Sequence, residues 1–142
     1  MTSSSSVLSL RANLESVRAI GPWLLDCLAL TASPSLLEQA GAIELALHEV
    51  AVNVVEHSLK GNGEAFEFRF EWTASTSTAT FVCVDGGPAV HTEALPDAPD
   101  EPQVGGYGLM IVEQVADSFG YERRDNANIW TVVFVSNDTE SE

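Results

Sequence analysis

The sequence predicts an α+β domain, and three observations lead there. Apolar residues recur at helical spacing from Asn13 to Leu59, the period changes to two from Ala65 onward, and 142 residues is the length of one domain. A chain of that size hides roughly 70% of its unfolded surface on folding and needs no covalent staples. The expected division is a flexible serine-rich tail at 1–6, one domain at 7–136 and an acidic tail at 137–142.

In chain order, Val7 to Leu10 is short, apolar and alternating, which suits an edge strand. Leu14, Val17, Ile20, Leu24 and Leu28 keep helical spacing, with Asn13 as N-cap. Gly21-Pro22 interrupts that run, either as a kink or as the first turn of a second helix. Ser33 or Ser35 then caps one long helix through about Leu59, stopped by Lys60-Gly61-Asn62-Gly63. Ala65 to Trp72 alternates, with Phe66, Phe68, Phe70 and Trp72 on one face and Glu67, Arg69 and Glu71 on the wet one. Thr73 to Ser77 is a turn, and Thr78 to Val84 is the next strand, ending in Asp85-Gly86-Gly87-Pro88. Ala89 to Gln103 is a long proline-containing loop, and Gly105-Gly106-Tyr107-Gly108-Leu109 opens a helix. Phe119 to Arg123 and Ile129 to Val135 form a closing hairpin around Asp125 to Asn128.

Composition excludes several classes. Six Lys plus Arg against twenty-one Asp plus Glu give a formal charge of −15, so there is no basic patch to bind nucleic acid. The charge suits a basic protein partner, or serves solubility alone. Cys27 and Cys83 lie far apart in apolar surroundings, unlike a disulfide framework or a zinc site, and are expected to be buried free thiols. No apolar run approaches a membrane span of about 20 residues, and Met1 to Ser6 carries no signal-peptide features. The expectation is a soluble cytoplasmic protein.

Chemistry concentrates first in the long helix. At about 100° per residue, Glu49, Asn53, Glu56 and Lys60 form one narrow stripe with His57 beside it. Leu45, Val52, Val55 and Leu59 flank the stripe, while Ile43, Leu47, Val50 and Val54 cover the far side. Such hemming suits a pocket lining better than open water. Glu49 has the chemistry of a general base and Asn53 offers an amide oxygen of the hard kind that Mg²⁺ accepts; the alternative is a polar seam in a packed helix. A zinc-protease reading of His48-Glu49 fails, because the second histidine would fall at Val52. His57 alone suits a helix-end hydrogen-bonding role.

Two further pieces follow. Asp85, at the end of an apolar strand, is placed to accept from an exocyclic amine such as that of adenine, with Gly87 admitting a flat base; alone, it is an ordinary strand-end turn. Gly105-Gly106-Tyr107-Gly108 before a helix can point N–H groups at phosphate, or serve only a tight helix entry. The preceding strand and the Lys-Ser/Thr of the Rossmann and Walker patterns are missing.

The joint order of Glu49-x-x-x-Asn53, Asp85-x-Gly87, a long loop, Gly106-x-Gly108-Leu109 and a hairpin with Asn128 resembles the GHKL ATP-binding superfamily. More narrowly, it resembles the small bacterial anti-sigma factor serine/threonine kinases, over about Leu10 to Val135. The resemblance implies a Bergerat-type two-layer sandwich: a mixed, mostly antiparallel sheet with helices on one face, forming one histidine-kinase-like ATPase domain over 7–136. It implies that Asn53 holds Mg²⁺ against the phosphates of ATP and that Glu49 is the catalytic base for an acceptor serine. It further implies that Asp85 reads the adenine amine, Gly87 admits the base, and Gly106, Gly108 and Leu109 wrap the phosphates. Members of this group bind a sigma factor and phosphorylate an anti-sigma antagonist protein, usually as homodimers.

The chain departs from that pattern at three places. Ala89 stands where a glycine is frequent, Tyr107 stands where an arginine is common, and Ala89 to Val104 contains no Lys or Arg. Phosphoryl transfer depends chiefly on cationic stabilisation, and Lys60 at the helix end either supplies a substitute cation or is a solvated cap. Two readings therefore stand: an ATP- and Mg²⁺-dependent kinase, which the retained base favours, and a non-catalytic module that sequesters a regulatory protein, which the acidic loop favours.

Overall fold

The computed structural model describes residues 4–31, 33–61, 67–74, 78–86 and 108–137. Five strands, β1 (Ser4–Arg11), β2 (Glu67–Ala74), β3 (Thr78–Asp85), β4 (Ser118–Arg124) and β5 (Ala127–Val135), form one sheet in the order β1-β2-β3-β5-β4. All four described pairings are antiparallel. Among the described residues, four helices, α1 (Ile20–Ala29), α2 (Pro34–Glu38), α3 (Ala40–Gly61) and α4 (Gly108–Val115), form the second layer of a two-layer α+β sandwich. No described helix is long and apolar enough to cross a membrane.

Alternation makes the sheet two-faced. Ala79, Phe81, Cys83 and Asp85 of β3 are buried, as are Asn128, Trp130, Val132 and Phe134 of β5, while the residues between them are half-exposed. Register aligns these positions into rows, so that Cys83 lies between Phe70 and Trp130, and Asp85 lies beside Asn128. Three of the rows are apolar in β3 and β5, and the row at the Asp85 end is polar. On the other face, Arg69 Nε donates to Glu71 Oε2 at 2.6 Å, an exposed pair that contributes little to stability.

The helices cover the inner face because each buries one stripe. Ile20, Leu24, Cys27 and Leu28 of α1 are buried, the i, i+4, i+7, i+8 spacing of an amphipathic helix. Trp23 of the same helix packs against Phe70 and Phe81, with ring centroids 6.3 and 6.2 Å away. The interrupted run after Asn13 resolves into a 3₁₀ turn at Ser16–Ala19, followed by α1 with Pro22 in its first turn. The N-cap position of that turn is Glu15, not Asn13 as expected; the Asn13 side chain accepts from the Ser16 N–H at 2.8 Å just ahead of it.

Several boundaries differ from expectation: β2 continues through Thr73 and Ala74, and β5 already includes Ala127 and Asn128, while two further differences change the architecture more. The single long helix is divided: Ser33 caps the short α2, accepting from the Leu36 N–H at 3.1 Å, and Gln39 separates it from α3. The Gln39 side chain donates to the Val135 carbonyl at 3.2 Å, tying the joint to the end of β5. Likewise β1 begins at Ser4, not Val7, so Ser4 to Ser6 belong to the strand. Backbone pairing with β2 recruits these serines, and Ser6 Oγ accepts from Trp23 Nε1 at 3.0 Å.

Asp125 and Asn126 join β4 to β5 with φ of 54° and 63°, the left-handed pair that a two-residue type I′ turn requires. Asn tolerates that region, whereas a β-branched residue does not. Asn126→Val is therefore expected to lose about 1–2 kcal/mol, and Asn126→Gly to lose nothing, as urea denaturation midpoints will report.

Both cysteines are free and buried. Burial pushes the Cys27 thiol up to about 11, partly offset by a hydrogen bond with Ser6. Burial pushes Cys83 well above its ordinary value too, helped by the nearby Asp85 carboxylate. Neither is a thiolate nucleophile at neutral pH.

Candidate functional site

Helix α3 carries the first part of the site. Ile43, Leu47, Val50 and Val54 are buried, so the far side of the helix is the core side, as its spacing predicts. On the opposite side the environment changes along the helix. Glu44, Leu45 and His48 are exposed, whereas Glu49, Val52, Asn53 and Glu56 are half-buried. The polar stripe thus enters partial cover at Glu49.

Helix α4 provides that cover. A Cβ added to Gly108, its first residue, would stand 2.6 Å from Glu49 Oε1 and 3.7 Å from Glu49 Cβ. Any side chain at 108 would displace the carboxylate. The Glu49 side chain consequently lies against the N-terminal end of α4, where unpaired N–H groups favour negative charge. Leu109, the next residue, is buried with Val112 in the common core.

The anchoring of Gln39 at Val135 sets the other end of the geometry. From Gln39 to Asn53 the helix rises about 21 Å, and from Val135 back to Asn128 strand β5 rises about 24 Å. As α3 packs over β3 and β5, this carries Glu49 and Asn53 toward the polar end of the sheet, where Asp85 ends β3.

Asp85 is 3% exposed and Asn128 is fully buried. Buried polar groups persist only when hydrogen-bonded, and these two satisfy each other. Asn128 Nδ2 donates to Asp85 Oδ1 at 2.9 Å, and Trp130 Nε1 donates to Asp85 Oδ2 at 3.1 Å. The Asn128 oxygen accepts from the Tyr121 hydroxyl at 2.5 Å and from Arg123 Nη1 at 3.1 Å. Tyr121 also leans on Trp130, with ring centroids 4.5 Å apart, while Phe119 stacks on Trp130 at 6.2 Å.

The structure thus brings Glu49 to Gly108 and surrounds Asp85 with a rigid network. Gly87 and Gly106 lie outside the described residues, as do the side chains of His57 and Lys60. Among the described residues no group of three or more His, Cys, Asp or Glu side chains could hold a metal ion. Sequence reasoning gave no role to Tyr121, Arg123 or Trp130, and noted Asn128 only as part of a hairpin. The available signal was Asn128 itself, a polar residue in phase with Trp130, Val132 and Phe134 on a buried strand face.

Comparison with known proteins bears on the family and the fold. The model of the histidine kinase-like ATPase domain matches residues 10–134. No curated protein matches the chain. Among solved structures, the RsbU and RsbW domains of Rv1364c from Mycobacterium tuberculosis share the fold, with a TM-score of 0.62 at 16% identity. The match covers 95% of this chain and 33% of that one, so the chain spans about a third of its length.

Proposed function

Because the chain belongs to the histidine kinase-like ATPase domain family, we propose that it is an ATP-dependent serine/threonine protein kinase of the anti-sigma factor kind, acting on a small antagonist protein. The observation that carries this reading is the Glu49 carboxylate lying against Gly108 at the start of α4. A helix N-terminus is suited to phosphate, and a carboxylate beside it is suited to take a proton from an incoming hydroxyl.

In this reading Asp85 accepts from the adenine amine, and Gly87, Gly106, Gly108 and Leu109 border the base and phosphates. Glu49 takes the proton of the acceptor serine as its oxygen bonds to the γ-phosphorus. The bond from that phosphorus to the β–γ bridging oxygen breaks, and ADP leaves with the electron pair. The half-buried amide of Asn53, one turn beyond Glu49, supplies a neutral hard oxygen that fits Mg²⁺ alongside phosphate oxygens. The ion, when bound, neutralises charge on the phosphates. The partner is a phospho-acceptor protein, with a sigma factor as second partner and a second copy of this chain completing a homodimer. The cytoplasm, where such partners reside, is the corresponding location.

Calorimetry with Mg-ATP and transfer of radiolabelled phosphate to a candidate antagonist test the reading together. Binding that Asn53→Ala abolishes, with transfer to serine, is the expected result. Absence of binding sinks the nucleotide reading. Binding without transfer to any antagonist favours the alternative drawn from the acidic, cation-free segment 89–104, a non-catalytic module that sequesters a regulatory protein.

A further inference from the structure

Among the described residues nothing covers the outer face of the sheet, since the helices pack on the inner one. Register shows what that face presents. Val7, Glu71, Val82, Thr131 and Gly120 form one row across all five strands. In the two central strands Val82, Val84, Ile129 and Val133 are half-exposed there, an apolar stripe with polar strands on either side. Contiguous apolar surface rimmed by polar residues marks an interaction site.

The charge of this face differs from that of the rest of the chain. Half of the six cations, Arg11, Arg69 and Arg124, stand at its strand positions, beside only three of the twenty-one acids, Glu67, Glu71 and Glu122. Arg69 pairs with Glu71 and Arg124 pairs with Glu122. On the helical side Glu15, Asp26, Glu38 and Glu44 are exposed, which suits a basic partner and repels a second acidic chain. Two copies therefore meet with least repulsion sheet to sheet.

We propose that the outer face of the sheet is the contact between two copies of this chain, packed face to face about a two-fold axis that runs along the strands. The inference rests on the homodimer named above and gives it a surface. Such an axis reverses the strand order, so β1 of each copy lies over β4 of the other. Val7, 58% exposed at one end of its row, then stands over Gly120 at the opposite end. The missing side chain leaves room for it, since a Cβ added to Gly120 meets nothing within 4 Å in the single chain. Packed sheets cross at about 30°, which splays the corners and leaves Arg11 and Arg124 in water. Strands about 4.8 Å apart and about seven residues long bury roughly 1,100 Å² over both copies, just above the about 1,000 Å² that a specific interface needs.

Analytical ultracentrifugation of the full chain, Gly120→Gln and Val7→Ser, in about 50 and about 500 mM salt, is the test. The expected result is a dimer whose dissociation constant rises about tenfold or more in Gly120→Gln, the effect of overpacking a closed contact, and less in Val7→Ser. The dimer is expected to tighten as salt rises, because the contact is neutral while the two bodies repel. Melting curves at a dilution where every form is a single chain show that each variant folds. A dimer that both variants leave unchanged, or that weakens with salt, overturns this face while the homodimer stands. A single chain at every concentration overturns both, and Mg-ATP binding by that single chain leaves the kinase reading in place.

Discussion

Glu49→Gln is expected to lower phosphoryl transfer by about 10²–10⁴-fold, the range for removing a positioned general base, while Mg-ATP still binds. The two side chains have nearly the same shape, so the amide fits the space that Gly108 leaves open. The fold then loses only the favourable placement of a negative charge at the N-terminal end of α4, about 0.3–1 kcal/mol. What disappears is the ability to take a proton from the acceptor hydroxyl. Single-turnover transfer from radiolabelled ATP, measured beside calorimetric affinity, separates the two effects. Equal transfer by the variant and the unaltered chain sinks the base assignment, and parallel loss of binding shifts Glu49 from chemistry to ligand placement.

Much of the fold was legible because its signals are local. Period-two alternation in Thr78 to Val84 and Ile129 to Val135 depends on which face each residue meets, and the structure buries the alternate residues of both strands. Ser33 was legible as a cap for the same reason, since its hydroxyl serves an N–H three residues away. The joint at Gln39 was not, because its reason lies 96 positions along the chain, at the Val135 carbonyl. Ser4 to Ser6 read as tail because serine carries little strand preference, and their place is set by β2 and Trp23. In the site, Asp85 announced itself as an acid closing an apolar strand. Tyr121, Arg123 and Trp130 did not, since Tyr and Trp suit any strand and an arginine near a hairpin suits water. The pairing of β4 with β5 brings the Tyr121 and Arg123 donors onto the polar row, and the pairing of β5 with β3 brings that of Trp130.

Asp85→Ala is expected to remove nucleotide binding and to cost about 2–4 kcal/mol of stability, because it orphans two donors at once. Asn128 Nδ2 and Trp130 Nε1 both end on the Asp85 carboxylate, inside a region where Asn128 and Trp130 have no exposure to water. Each buried N–H left without an acceptor costs about 1–3 kcal/mol, and partial rearrangement keeps the sum below the simple total. Against a net stability of roughly 5–15 kcal/mol for a domain, that is a large fraction. Asp85→Asn separates the two consequences. Its amide keeps one acceptor for one of the two donors and sets its own NH₂ against the other, so the fold loses less than with alanine. The base loses its anionic acceptor in either variant. Urea denaturation should therefore rank stability as unaltered chain, then Asp85→Asn, then Asp85→Ala, while calorimetry places both variants far below the unaltered chain in ATP affinity. An alanine variant as stable as the unaltered chain would mean that water satisfies Asn128 and Trp130, and the rigid setting of Asp85 would lose its physical basis.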